Sequence, residues 1–326
     1  MNAVTPSHRP GLGRSRDHGA ILALAVVRWV LGLFWGIGMA EATAGPPNEV
    51  LTIGLTRTAF LNVNRNDMEA ALKTLAVTIG RRYDYEIEVR TSFYEEAKDF
   101  ADAVRSGAVR MAVTDSWTYL AMDPATLGAK PWFVAADSMG VGKVYHVLTR
   151  RGSGLDRMAD LRGKTLALLE IVNSSLGRPW LETVLRKDRL GSLATFFRQT
   201  VVASKPTTAV LPVFFGKSDA CLVDASAFAV MSEMNPQVGK ALQIIASSEP
   251  LVDGLQLLSE AGWEGSERMK QHLIEVLRDL HSEPSGQQLL TLFKTVRMVP
   301  FEAAHLEAVR GLRTIQEQSR TEVSTP

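Results

Sequence analysis

The sequence predicts an α/β protein in which short strands alternate with helices. Apolar runs of about five residues are each followed by a segment whose apolar side chains recur every three or four residues. Such alternation is typical of parallel βαβ units in an open sheet. The 326 residues are enough for two domains. Hydrophobic residues at 46% and charged residues at 22% indicate an ordinary globular protein.

The N-terminal segment differs from the rest of the chain. Arginines precede an apolar run at 29–39, and small residues then lead to Ala44. This order predicts a secretory signal peptide over residues 1–44, cleaved after Ala44. The alternative is an uncleaved anchor over 21–40, which would place Arg28 in the apolar span at a cost of about 2.5–3.5 kcal/mol near the bilayer centre. Cleavage is favoured, so we expect a periplasmic protein.

The next part of the chain predicts three strands and three helices. The strands cover 51–55, 85–89 and 109–113, and the helices cover 68–80, 94–104 and 117–122. Gly80 is expected to end the first helix. Polar residues follow the first and third strands, namely Thr56, Arg57 and Thr58 in one loop and Thr114, Asp115 and Ser116 in the other.

The remaining chain continues the alternation and ends in helices. Strands are predicted at 144–149, in the apolar first half of 163–180, and at 220–223, 242–246 and 251–258. A helix is predicted around the apolar residues at 180, 181, 184 and 185, and further helices are predicted at 207–215, 225–234, 269–280, 286–293 and 303–318.

The segment 163–180 combines a buried strand, a polar loop and the start of a helix. Pro179 fits only the first turn of that helix, so Ser174 or Ser175 is the expected N-cap. Unpaired N–H groups, the positive end of the helix dipole and hydroxyl donors converge there, as an oxyanion requires. An ordinary serine cap in a strand-to-helix turn is the alternative.

Three charged residues have two possible roles each. Asp115 and Asp224 each stand between a strand and a helix, where a carboxylate caps the helix or pairs with an amine on a ligand. Arg57 either clamps a carboxylate or phosphate or is simply solvated.

Several function classes are disfavoured by composition and motifs. A formal charge of +1 and the lack of a basic run with interleaved aromatics argue against a nucleic-acid partner. The histidines show no metal-ligand spacing, and no motif for a nucleotide cofactor stands in a supporting context. Cys221 is the only cysteine, which excludes an internal disulfide, and its apolar strand predicts a buried thiol. We therefore predict no cofactor, no metal and no catalytic residue.

Five sequence stretches resemble a known family. They are 51–55, 107–112, 160–165, 173–177 and 281–290. Together they resemble type II periplasmic substrate-binding proteins, and more narrowly the phosphate/phosphite/phosphonate-binding components of ABC transporters.

The resemblance implies two α/β lobes joined by hinge strands, with a ligand held in the cleft. Lobe 1 would comprise 50–140 plus 250–326, and lobe 2 would comprise 141–249. The loop at Asn173, Ser174 and Ser175 would hold the phosphonate oxygens, and the loops after the first and third strands would face the same cleft. The full expected ligand set is Thr56, Arg57, Thr58, Asp115, Ser116, Asn173, Ser174, Ser175, Lys205, Thr207 and Asp224.

The sequence departs from the family pattern at several positions. Leu176 replaces a hydroxyl residue, Lys205 stands where a ligand-contacting histidine is expected, and Arg110 replaces an aspartate. The prediction is therefore a solute-binding protein for a small oxyanion or zwitterion, phosphonate-like or phosphate-like, that acts as a monomer with an ABC permease. The alternatives are a sensory module of the same fold that signals to a membrane partner and, with less support, an enzyme.

Overall fold

The computed structural model describes residues 48–60, 63–171 and 175–324. The predicted signal peptide, 1–44, and the alternative anchor, 21–40, lie outside these ranges. Among the helices within them, none combines the length and the hydropathy needed to cross a bilayer.

Twelve strands and eleven α-helices are formed by the described residues. The strands are β1 (Asn48–Thr56), β2 (Glu86–Tyr94), β3 (Met111–Asp115), β4 (Ala129–Asp137), β5 (Gly140–Val141), β6 (Tyr145–Arg150), β7 (Thr165–Leu169), β8 (Gln199–Ala203), β9 (Ala220–Asp224), β10 (Leu242–Ser247), β11 (Gly254–Ser259) and β12 (Arg297–Pro300). The helices are α1 (Arg65–Tyr83), α2 (Ala97–Arg105), α3 (Ser116–Ala121), α4 (Gly177–Lys187), α5 (Leu193–Phe196), α6 (Pro206–Phe214), α7 (Ala225–Met234), α8 (Pro236–Ala241), α9 (Glu267–Asp279), α10 (Pro284–Leu292) and α11 (Glu307–Ser324).

The strands form two sheets, which confirms the predicted α/β class. The first sheet has the order β12-β4-β11-β3-β1-β2 with β5 paired to β4, and the second has the order β10-β6-β9-β7-β8. β1, β2 and β3 are parallel, as are β7, β8 and β9. β11 is antiparallel to β3 because the chain arrives from the other sheet next to the last residue of β3, so that β11 begins where β3 ends. The sheets are therefore mixed rather than wholly parallel.

Each sheet is covered by helices on both faces. In the first sheet, one face packs in a cluster with Met68 of α1 and Leu277 of α9, and the other packs with Phe100 of α2. The second sheet buries Trp180 of α4 on one face and Val213 of α6 on the other. Because helices cover both faces of each sheet, the parallel strands are continuous apolar runs.

Cys221 lies in β9 and is fully buried, as predicted. Removal of the thiol from water raises its pKa well above the ordinary range. The thiol is therefore a neutral packing group at physiological pH.

Two crossing segments, 142–144 and 248–253, connect the sheets. They pair with each other, because Lys143 and Leu251 exchange backbone hydrogen bonds of 2.8 and 2.9 Å. The last helix, α11, places Val309 and Leu312 in a cluster of the second sheet. The lobe boundaries at 50–140 plus 250–326 and at 141–249 stay a prediction.

Two predicted element boundaries are wrong for identifiable reasons. α1 continues past Gly80 to Tyr83, and Asp84 takes the left-handed position with φ 59°. Gly80 is instead required for close approach, because a Cβ there would lie 2.5 Å from the Tyr85 carbonyl oxygen. Tyr94 was expected in a helix but ends β2, whose pairing with β1 extends to that residue.

β4 was not predicted, because Pro131 interrupts its sequence and proline is rare inside a sheet. The structure accommodates Pro131 at a register shift in the pairing with β11. A proline at such an irregularity removes no regular ladder hydrogen bond.

Candidate ligand-binding site

Two of the predicted acidic residues cap helices at the ends of strands. Asp115 and Asp224 are both buried, and each accepts a backbone hydrogen bond in the first turn of its helix, at 2.9 Å from Thr118 and at 2.8 Å from Ala227. Asp224 also accepts a hydrogen bond of 2.6 Å from the Ser226 hydroxyl. Since each carboxylate oxygen can accept more than one hydrogen bond, capping does not exclude a contact with a ligand.

The first loop is tied to Asp115. Thr58 Oγ1 donates a hydrogen bond to Asp115 Oδ2, and Thr56 Oγ1 donates to Thr114 Oγ1 at 3.1 Å. Arg57, between these threonines, is exposed. The structure therefore brings the ends of β1 and β3 together, whereas Arg57 is exposed to solvent.

Ser175 does not cap α4, so that prediction is wrong for this residue. The N-cap position belongs to Leu176, which has near-helical backbone angles and is fully buried. Asn173 and Ser174 lie outside the described residues. The Ser175 donors point instead to Asp253, with the N–H 2.5 Å from Oδ2 and the hydroxyl 2.8 Å from Oδ1.

Asp253 joins elements from both sheets. Its carboxylate accepts both hydrogen bonds from Ser175, and its backbone oxygen accepts a hydrogen bond of 2.7 Å from the Ser116 N–H. The Ser116 hydroxyl donates to the neighbouring Val252 oxygen at 2.6 Å. Tyr145 of β6 approaches the same carboxylate with its hydroxyl at 3.4 Å. Asp253 is thus the residue at which loops of the two sheets meet.

The electrostatics around Asp253 favour its neutral form. The residue is 5% exposed, and this burial, together with the nearby charge of Asp115, raises the pKa of its carboxyl group to about 6. The hydrogen bonds from Ser175 and the charge of Lys143 act in the opposite direction without compensating fully. This carboxyl therefore titrates close to neutral pH.

The position of Ser175 depends on close packing behind it. Gly177, the first residue of α4, lies against the buried ring of Tyr145, and a Cβ on Gly177 would lie 2.9 Å from Tyr145 Cδ1. Tyr145 is also paired with Asp224 across β6 and β9. Glycine thus allows the start of α4 to approach β6 and places Ser175 against Asp253.

Lys205 and Thr207 stand apart from this arrangement. Lys205 precedes α6 and Thr207 lies in its first turn, and both are exposed. Among the described residues, no hydrogen bond or ion pair joins either side chain to Ser175 or Asp253.

Comparison with known proteins identifies the family. The model of a family described as "ABC transporter, phosphonate, periplasmic substrate-binding protein" matches residues 58–306. The chain belongs to this family. Its members are periplasmic proteins that bind small molecules for the permease of an ABC transporter, and the family is one of transport proteins. The resemblance inferred from the sequence motifs is thereby confirmed.

Several solved structures share the fold. A Xanthomonas citri protein with bound chloride has a TM-score of 0.60 at 17% identity, covering 84% of this chain and 99% of that one. PhnD1 from Prochlorococcus marinus, in complex with methylphosphonate, has a TM-score of 0.56 at 13% identity, covering 82% and 98%. The binding component of a Pseudomonas aeruginosa ABC phosphonate transporter has a TM-score of 0.55 at 12% identity, covering 85% and 89%.

At these identities the similarity shows the fold, which is that of the two-lobed periplasmic binding proteins. No curated protein matches the sequence.

Asp253 is the residue of this candidate site that the sequence did not predict. It lies in the run Leu251–Leu258, which is apolar apart from Asp253 and Gln256 and was interpreted wholly as a strand. The structure starts the strand at Gly254, so Asp253 belongs to the crossing segment 248–253. A carboxylate directly before a glycine in an apolar run was the available signal.

Proposed function

We propose that the protein captures a small oxyanion or a zwitterion, phosphonate-like or phosphate-like, between its two sheets and passes it to an ABC permease. One observation carries the proposal. The N–H and the hydroxyl of Ser175 bind the two oxygens of the Asp253 carboxylate, which is the contact that an oxyanion would make. PhnD1, which shares the fold, is complexed with methylphosphonate.

The surrounding residues supply further contacts in this proposal. The hydroxyl groups of Thr56, Thr58 and Ser116 turn to the ligand from the acceptors that they bind in this structure, which are Thr114, Asp115 and Val252. Asp115 accepts a hydrogen bond from an ammonium group if the ligand has one. On lobe closure, the exposed cations Arg57 and Lys205 add positive charge, and Thr207 and Asp224 complete the wall. Asn173 and Ser174 are included from the sequence alone.

The cellular setting is part of the same proposal. Residues 1–44 direct export and are removed, and the remaining chain acts in the periplasm as a monomer without nucleic acid and without converting its ligand. Closure of the lobes around the ligand would present a surface that the permease recognises.

Calorimetric titration of the purified protein with inorganic phosphate, methylphosphonate and 2-aminoethylphosphonate tests the proposal. At least one should bind and raise the melting temperature, because a ligand at 100 times its Kd stabilises the folded state by about 2.7 kcal/mol. Ser175→Ala should weaken that binding about tenfold, since one hydrogen bond to a charged group is lost.

The matched control is Ser153→Ala, which removes a hydroxyl from an exposed turn. This turn follows the last residue of β6, whereas Tyr145 is the first residue of that strand. It should bind as the wild type does. Equal binding by Ser175→Ala and the wild type would refute the role of Ser175.

A further inference from the structure

In this structure, the donors that suit a ligand oxyanion are already used by an internal carboxylate. Both oxygens of Asp253 accept hydrogen bonds from Ser175, at 2.5 and 2.8 Å. Any anion that binds these two donors must first separate Ser175 from Asp253. The crossing segment that carries Asp253 is held by the Ser116 contacts and by the Lys143–Leu251 pair, so the carboxylate is fixed in place by the backbone on both sides.

The charged groups around Asp253 do not neutralise it. Asp115 faces it from the end of β3, where Gly254 and Asp115 are paired across the strands. Lys143 faces it from the other crossing segment, but its ammonium group forms an ion pair of 2.9 Å with Asp137. Tyr145 approaches from β6. Asp253 also lines a small cavity with Lys143, Asp137 and the exposed Lys294.

We propose that Asp253 is a specificity-determining residue, an internal anion that competes with the ligand for Ser175 and makes anion binding dependent on proton uptake. The inference deepens the proposed function and rests on it. While Asp253 is ionised, an incoming anion loses the Ser175 donors to it and is repelled by both Asp253 and Asp115. When Asp253 is protonated, the repulsion falls and its hold on Ser175 weakens, because hydrogen bonds to a charged acceptor are the stronger ones.

The direction of the pH effect follows from the environment. Burial and Asp115 raise the pKa of Asp253 to about 6, so the carboxyl is mostly ionised at pH 8 and mostly neutral at pH 5. An anion that displaces the carboxylate leaves it without its two donors, which raises this pKa further. Anion binding and proton uptake therefore favour each other by linkage.

Sulfate is a suitable probe because it keeps its charge between pH 5 and pH 8. Calorimetric titration with sulfate, and with methylphosphonate as a second anion, compares the wild type with Asp253→Asn at both pH values. The matched control is Asp219→Asn. Asp219 accepts both the N–H and the hydroxyl of Thr165, each at 2.8 Å, at the opposite end of β7 from Ser175.

The expected result has two parts. Wild-type Kd for sulfate should fall at least tenfold from pH 8 to pH 5. Asp253→Asn should bind sulfate at least tenfold more tightly than the wild type at pH 8 and change less than threefold with pH. Asp219→Asn should follow the wild type. His146, whose pKa is lowered by burial, is retained in every variant, so the comparison removes its contribution.

Each other result has a defined meaning. If Asp253→Asn binds anions no more tightly than the wild type at pH 8, or keeps the wild-type pH dependence, the inference is wrong while the proposed function stands. If neither protein binds any anion at either pH, both the inference and the proposed function are wrong. If Asp253→Asn does not fold, Asp253→Ser replaces it, and a flat wild-type profile alone is enough to overturn the inference.

Discussion

At the scale of single residues, Asp253 has a consequence for stability that needs no ligand. Its pKa rises from 3.8 to about 6 on folding. Below pH 3.8 both states are protonated and the group has no effect. Above pH 6 both are ionised, and burial of the charge destabilises the fold by about 3 kcal/mol, at roughly 1.4 kcal/mol for each pKa unit.

We therefore expect the free energy of unfolding of the wild type to fall between pH 4 and pH 7 relative to that of Asp253→Asn, by about the same 3 kcal/mol. Urea unfolding at a series of pH values measures it. Parallel profiles for the two proteins would show that Asp253 is ionised in the fold throughout.

Residues whose roles are local were the ones that the sequence predicted well. Asp115 and Asp224 cap helices that start one residue later, and that role depends only on neighbours in the chain. The Ser175–Asp253 contact joins residues 78 positions apart. Sequence patterns report local periodicity, so they predicted an anion-binding role for Ser175 but not its contact with the distant carboxyl group of Asp253.

At the scale of elements, the approach of α4 to β6 is what positions Ser175. Gly177→Ala should cost about 1–3 kcal/mol of stability, because the added methyl meets the fixed ring of Tyr145 and overpacks a buried contact. The control is Gly311→Ala in α11, where a Cβ has open space. That change should stabilise the protein by about 0.5–1 kcal/mol.

Thermal and urea unfolding of both glycine variants provide the measurement. Stability of Gly177→Ala within about 0.5 kcal/mol of the wild type would mean that α4 is free to move away from β6.

Element boundaries that depend on neighbouring residues were likewise predicted better than those that depend on packing between distant residues. α7 was predicted with the observed bounds, since Asp224 and the apolar spacing mark it locally. The end of α1 was missed because Gly80 meets the Tyr85 carbonyl, which is a packing requirement rather than a cap. Likewise, β4 contains a proline that only the pairing with β11 accommodates.

At the scale of the whole molecule, α11 links parts that belong to different sheets. Arg313 donates a hydrogen bond of 3.2 Å to the Trp117 carbonyl and covers the Trp117 ring at 5.1 Å, while Gln316 donates to the Pro179 carbonyl at 3.0 Å. α11 therefore contacts both α3, which follows Asp115, and α4, which follows Ser175.

We expect Arg313→Ala to lower the free energy of unfolding by about 1–2 kcal/mol, through loss of the hydrogen bond and the cation–π contact. Arg310→Ala, at an exposed site of the same helix, should change it by less than about 0.5 kcal/mol. Urea unfolding compares the two. Equal effects would show that α11 adds no specific link between α3 and α4.

The two-lobed architecture itself was predicted from the family resemblance and not from periodicity. Alternating strands and helices indicated parallel units, whereas the antiparallel β11 arises because the chain crosses between the sheets and returns. The direction of β11 depends on the path of the whole chain between the sheets, which local sequence patterns do not report.

In the proposed function, the N–H and the hydroxyl of Ser175 form the anion-binding point between the two sheets. The backbone amide resonance of Ser175 in NMR spectra, followed during titration with methylphosphonate, reports on this role at the atom concerned. We predict that this resonance shifts and saturates with the Kd measured by calorimetry, because the N–H exchanges one acceptor for another. A Ser175 resonance that stays in place while the ligand binds and other resonances saturate would show that Ser175 does not bind the ligand.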